Sequence, residues 1–163
     1  MVRTIAIGGF MGVGKTTAGR GLAARLHVPF VDLDERVEAD AGMSIAEIFS
    51  RHGEPAFRTL EMEALKSILE GPPLVLALGG GTLHQPENRT LLQKSLVVCL
   101  LMGLQNIRKR LGEASDSRPL WGDAENLFQS RHAEYEAQEH VLRVDDLSTM
   151  DVVDRLEELV QCA

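Results

Sequence analysis

Cysteine is scarce. Cys99 and Cys162 stand far apart, with no CxxC spacing and no His-rich partner, which excludes a disulfide framework and a zinc site. Cys99 lies inside an apolar run and reads as a small core residue. Long hydrophobic stretches are lacking too: the longest, Leu96 to Met102, is far too short to cross a bilayer. Arg3 precedes only Ile5-Ala6-Ile7 before glycines intervene, too little for a secretory leader. Basic charge is in deficit, since 17 Lys+Arg against 24 Asp+Glu leave 17 − 24 = −7, the opposite of a nucleic-acid-coating surface. No internal repeat or low-complexity tract is visible. These absences point to a cytoplasmic protein without a nucleic-acid or membrane partner.

What is present suffices for a single domain over residues 1–163, and 44% hydrophobic residues can fill a real core. Short apolar runs alternate with helical-period segments, the pattern of βαβ units on a parallel sheet. Strands are expected at Thr4–Ile7, around Phe30-Val31, at Leu74–Leu78, at Leu96–Leu101 and at Val141–Val144. Lys15 to Leu26 reads as a helix with Ala18, Leu22, Ala23 and Leu26 on one face. A helical insertion separates the second and third strands. It opens on the capping box Ser44-Ile45-Ala46-Glu47, breaks at Gly53 and restarts at Pro55. A last helix is expected from about Asp151, with Val152, Val153, Leu156, Leu159 and Val160 at core spacing.

Gly9-Phe10-Met11-Gly12-Val13-Gly14-Lys15-Thr16 spells G-x-x-x-x-G-K-[ST] between a predicted strand and a predicted helix, the context the phosphate loop requires. Glycines let backbone N–H groups turn inward around a phosphate, and the helix start adds its positive dipole end. Lys15 can reach the β- and γ-phosphates, and the Thr16 hydroxyl can ligate Mg2+. No asparagine is followed by lysine, so the guanine-reading Asn-Lys-x-Asp is missing and ATP is the expected nucleotide.

The third and fourth strands do not end in an acid, so the carboxylate beside the metal is expected from Asp32-Leu33-Asp34 at the end of the second. Residues two apart on a strand face one side. One carboxylate can then serve Mg2+, directly or through water, and the other a second substrate. Asp34 could also cap the helix that follows. Gly79-Gly80-Gly81 directly follows the third strand, which suits a ligand approaching bare backbone at the sheet's carboxyl edge. Among the cations, Arg58, Arg118 and Arg131 stand out by position, the second in a stretch rich in Gly, Ser, Asp and Pro. The planar fork of arginine suits carboxylate and phosphate alike.

Taken in order along the chain, these residues resemble the shikimate kinase family. The resemblance rests on the phosphate loop, Asp32-Leu33-Asp34, Gly53-Glu54-Pro55-Ala56-Phe57-Arg58, Gly79-Gly80-Gly81, Ser117-Arg118-Pro119-Leu120, Arg131-x-x-x-Tyr135 and Arg143-Val144-Asp145. It implies an α/β fold of three αβα layers, similar to nucleoside monophosphate kinases. The five-stranded parallel sheet would run 2-3-1-4-5, with a substrate-binding insertion over about 33–62 and a mobile lid over about 112–124. It implies transfer of the γ-phosphoryl group of ATP to the 3-hydroxyl of shikimate, a step of aromatic amino-acid biosynthesis, by a protein that is a monomer like its family.

By that resemblance Asp34 would hold the attacking hydroxyl, and Arg58 and Arg131 would grip the shikimate carboxylate. Gly79, Gly80 and Gly81 would contact the ring. Gly12, Val13, Gly14, Lys15, Thr16 and Thr17 would cradle ATP, Arg110 and the stretch after Asp145 would flank adenine, and Arg118 would reach the γ-phosphate from the lid. Mg2+ would sit on Thr16 with Asp32 behind it. The chain departs from the family in four ways. It is shorter between Arg118 and Arg131, it has Val13 before the last glycine of the loop, Ala133-Glu134-Tyr135 replaces Pro-Leu-Tyr, and Leu147-Ser148-Thr149 stands where the adenine loop of the family carries basic residues. Two rivals share the phosphate loop: a related small-molecule kinase such as one acting on gluconate, and a nucleotide switch in which Glu35 activates water.

Overall fold

The computed structural model describes residues 3–111 and 123–163. The elements run β1 (Ile5–Gly9), α1 (Lys15–Leu26), β2 (Phe30–Asp32), α2 (Leu33–Ala41), α3 (Ile45–Leu69), β3 (Val75–Ala77) and α4 (Pro86–Leu91). They continue with β4 (Leu96–Leu101), α5 (Leu104–Leu111), α6 (Ala124–Glu136), β5 (His140–Arg143) and α7 (Thr149–Cys162). Short 3-10 turns at Thr82–His84 and Leu92–Lys94 flank α4.

The sheet is parallel throughout and ordered β2-β3-β1-β4-β5, as the family resemblance implies. In register, Ile5 lies between Val75 and Leu96, and Phe30 opposite Val75. Every residue of β1 and β3 is buried, so helices cover both faces and apolar runs without alternation are what such strands require. Ile7, Leu22, Leu76, Leu100 and Leu156 are among the largest fully buried side chains. Cys99 sits in this core, where burial pushes its thiol up to about 12, an inert state. Among the described residues no helix is long and apolar enough to cross a membrane.

After β3 the chain crosses over β1 to reach β4, so the loop following β1 opens at the point where strand order reverses. Parallel sheets bind ligands there. That loop is the phosphate loop.

Two local expectations change. The helices foreseen on either side of Gly53 form one 25-residue element with a break at that glycine, whose φ of 82° and ψ of 170° are not helical. The acid pair does not lie on one strand: β2 ends at Asp32, and Asp34 already belongs to the first turn of α2. The cap of α2 is therefore Asp32, whose Oδ1 accepts from the backbone N–H of Asp34 at 3.0 Å and of Glu35 at 3.3 Å, and not Asp34.

Candidate active site

Gly12 and Gly14 adopt φ of 81° and 102°, conformations closed to most side chains. They turn the loop so that α1 begins at Lys15 directly beneath it. Lys15 folds across the loop, its Nζ donating to the carbonyls of Gly9 and Phe10 at 3.0 Å each. The Thr16 hydroxyl donates to Asp32 Oδ2 at 2.5 Å. One carboxylate thus joins two helices, with one oxygen capping α2 and the other receiving Thr16. Arg110, from α5, lies against the loop and donates to the Val13 carbonyl at 3.3 Å. A cavity of about 330 Å3 opens among these groups, lined by Gly12, Gly14, Lys15, Thr16, Thr17 and Arg110, with Asp32 and Asp34 at one end. Val13 is fully turned inward. A small cleft beside it reaches Arg110, Leu147 and Thr149.

A second cavity of about 330 Å3 adjoins the first, a volume suited to a small organic ligand. Ile45, Ala46 and Phe49 line one part of it, and Phe57, Arg58 and Glu61 another. Gly79, Gly80, Gly81 and Arg131 complete the wall. Met11, Asp34 and Gly80 belong to both cavities, so Asp34 stands at their junction. Burial, acting with the neighbouring carboxylates of Asp32 and Glu61 against the pull of Lys15 and Arg58, raises its carboxyl from 3.8 to about 6. A carboxylate so placed is still ionised at neutral pH but holds a proton more readily than usual.

The two arginines converge. A Cβ on Gly81 would fall 2.6 Å from Arg58 Nη2 and 3.0 Å from Arg131 Nη2. Arg58 is compensated by Glu61 at 3.0 Å and Glu54 at 3.1 Å. Arg131 is 5% exposed and has no ion pair or hydrogen bond among the described residues. A nearly buried guanidinium with no acid paired to it among the described residues, beside a second one, gives this wall donors that could take up an anion, because burying such a charge alone is costly. The glycine run has a reason the sequence did not show: its crowding comes from the protein itself. A Cβ on Gly79 would lie 2.8 Å from Asp34 Oδ1 and 2.9 Å from Glu61 Oε1.

A family model described as shikimate kinase matches residues 11–161. The chain belongs to the shikimate kinase family. The shikimate kinase of Geobacter metallireducens is 46% identical over 123 residues, 75% of this chain and 68% of that protein. That of Caldanaerobacter subterraneus subsp. tengcongensis is 36% identical over 161 residues, 95% and 94% of the two. Among solved structures, shikimate kinase from Acinetobacter baumannii in complex with shikimate superposes with a TM-score of 0.92 at 31% identity, covering 99% of this chain and 94% of that one. A gluconokinase from Sinorhizobium meliloti, at 14% identity and a TM-score of 0.59, shares the fold alone.

Every site residue expected from the sequence falls on one of the two cavities or the cleft beside them, except Arg118, which lies outside the described residues as does most of the 112–124 segment. Sequence reasoning missed Glu61, which is fully buried, pairs with Arg58 and accepts from the Thr82 hydroxyl at 2.6 Å. Its signal was the i, i+3 spacing from Arg58 on a helix. Met11 and Tyr135 were quoted only as parts of motifs. Tyr135 is buried beside Arg131 and its hydroxyl donates to the Gly80 carbonyl.

Proposed function

We propose that the protein transfers the γ-phosphoryl group of ATP to the 3-hydroxyl of shikimate, giving shikimate 3-phosphate and ADP. The observation that carries this reading is the shared wall. Asp34 faces the phosphate-loop cavity and the arginine-lined cavity at once, where an acceptor hydroxyl meets a terminal phosphate. In this reading Arg58 and Arg131 bind the carboxylate of shikimate, and the glycines from Gly79 to Gly81 line its ring. The 33–62 segment is the substrate-binding subdomain. The anchored acceptor is aligned for in-line attack, and alignment with charge neutralisation is most of what phosphoryl transfer demands. The hydroxyl oxygen bonds to the γ-phosphorus as the bond to the β-phosphate oxygen breaks, and the hydroxyl proton passes to the Asp34 carboxylate. Gly12 to Thr17 and Lys15 hold the β- and γ-phosphates, with Arg110 against the nucleotide. Arg118, outside the described residues, is assigned to the γ-phosphate.

Thr16 and Asp32 fit a Mg2+ ion. One hydroxyl and one carboxylate 2.5 Å apart at the cavity wall form the small oxygen donor set this ion takes when waters and phosphate oxygens fill its remaining positions. Among the described residues no cluster of three or more His, Cys, Asp or Glu offers a fuller cage. Bound there, the ion would offset the charge of the phosphate oxygens. The protein is read as a cytoplasmic monomer.

ADP release with ATP and Mg2+, measured with shikimate, with gluconate and without acceptor, tests the reading. Release should require shikimate. Release indifferent to the acceptor would make the protein an ATPase, and release with gluconate alone would move it to the neighbouring kinase class.

A further inference from the structure

We infer that Glu134 is a positioning residue for substrate recognition, setting the distance between the two arginines that meet the acceptor's carboxylate. The inference rests on the proposed function and deepens it.

Arg58 and Arg131 come from separate elements, α3 and α6, and one short turn is tied to both. On its inner side, the Thr82 hydroxyl bonds Glu61, which pairs with Arg58. On its outer side, His84 Nδ1 meets Glu134 Oε2 at 2.7 Å. Arg89, in α4, donates to Glu134 Oε1 and, at 2.9 Å, to the Leu83 carbonyl of the same turn. The Asn88 side chain, also from α4, donates to the Thr82 carbonyl at 3.2 Å. Glu134 is therefore where α6 fastens onto the Thr82–His84 turn, with both carboxylate oxygens engaged.

That fastening is placed to matter for Arg131. Glu134 and Tyr135 lie three and four residues after Arg131, so each sits about one turn from it on α6. Tyr135 holds the Gly80 carbonyl, and Glu134 holds the turn that follows. Together they fix the C-terminal half of α6 against the loop after β3. Arg131 makes no hydrogen bond or ion pair among the described residues to fix its own direction, so the pose of its guanidinium depends on the helix that carries it and on Tyr135 beside it.

The side chain of Glu134 is 23% exposed, and those of Arg89 and His84 are 41% and 51% exposed. A carboxylate with two charged or ionisable donors at this depth exceeds an isolated surface pair in strength but lies well short of a buried one. The expected consequence is a moderate, directional loss, confined to the acceptor.

Steady-state kinetics on the full chain provide the test, with shikimate and ATP varied in turn. Wild-type protein comes first: no shikimate-dependent ADP release there would overturn the proposed function itself, before any variant is compared. Glu134→Ala should raise the shikimate KM by about 5–10-fold while the ATP KM stays within about twofold. Glu134→Gln, which keeps one acceptor oxygen and replaces the other by a donor amide, should fall between. Arg89→Ala should mimic Glu134→Ala, and the double variant should be no worse than the more affected single one, as members of one linkage behave. A shikimate KM within about twofold of wild type in Glu134→Ala overturns the inference, as does a parallel rise of both KM values with additive double-variant effects, the mark of general loosening. If Glu134→Ala does not fold, Arg89→Ala and His84→Ala, which truncate the exposed partners, carry the same comparison.

Discussion

Replacing Asp34 by asparagine should make the protein more stable and nearly inactive, and the size of the gain can be worked from the site. In the folded protein the Asp34 carboxyl is raised from 3.8 to about 6, with burial as the largest cause and Asp32 and Glu61 adding to it. Above the raised value the folded state carries a charge it disfavours, and the displacement corresponds to about 3 kcal/mol. Screening by solvent that can enter through the adjoining cavities would reduce this to about 1–3 kcal/mol. The sign follows from proton binding. Between about pH 4 and 6 the folded state holds the proton that the unfolded chain has released, so stability falls as pH rises through that window and stays lowered above it. Asp34→Asn removes the titration. Its advantage over wild type should be small at pH 4, grow up to about pH 6 and level off, reaching about 3–10 °C in Tm at pH 8. Turnover should meanwhile fall by about 10²–10⁴, because the amide cannot accept the hydroxyl proton. Urea denaturation of both proteins across pH 4–8 measures the first effect and coupled ADP release the second. A stability difference that does not change with pH would refute the electrostatic account of Asp34, and unimpaired turnover would remove its role as proton acceptor.

The same carboxyl should place the acid limb of kcat/KM for shikimate near pH 6; a rate constant that is flat down to pH 5 would contradict this. Gly81→Ala puts a methyl group 2.6 Å from Arg58 Nη2 and 3.0 Å from Arg131 Nη2, so shikimate KM should rise by about tenfold or more with ATP KM little changed. Competition assays with each substrate in excess separate the two constants. Asp32→Asn keeps a cap for α2 but removes the charge beside Thr16, and the Mg2+ concentration giving half-maximal rate should climb by about 10–100-fold. Arg131→Ala should leave the fold as stable or more so, since the guanidinium is nearly buried without a compensating acid among the described residues. Calorimetry should show shikimate binding weakened by at least about tenfold.

Much of this arrangement could be read along the chain because each part rests on local pattern. Three of the strands, β1, β3 and β4, are apolar runs without alternation, and the phosphate loop is spelled by residues whose backbone angles and chemistry leave few substitutes. Strand limits moved by a residue or two: β3 shrank to Val75–Ala77, and β5 began at His140. Sequence spacing predicted that Asp32 and Asp34 would face one cavity, but the reason it offered was wrong. They reach it from a strand end and a helix start, because Asp32 caps α2 and so turns the chain within two residues. Illegible parts were those that depend on contacts distant in sequence. Glu61 showed only its spacing to Arg58 along the chain, whereas its bond to Thr82 joins residues far apart in sequence. The glycine run becomes intelligible only when Asp34, Arg58 and Arg131 are found pressing on it.

The break in α3 also has a bearing on selectivity. Ile45, Ala46 and Phe49 precede Gly53, whereas Phe57, Arg58 and Glu61 follow it, so a single helix lines one pocket from both sides of its break. The angle between these halves is written in the dihedrals of one residue, at φ 82°, where side chains are poorly tolerated. The spacing of the two halves across the pocket therefore depends on a backbone angle, and a substitution at Gly53 should alter the pocket without touching a ligand.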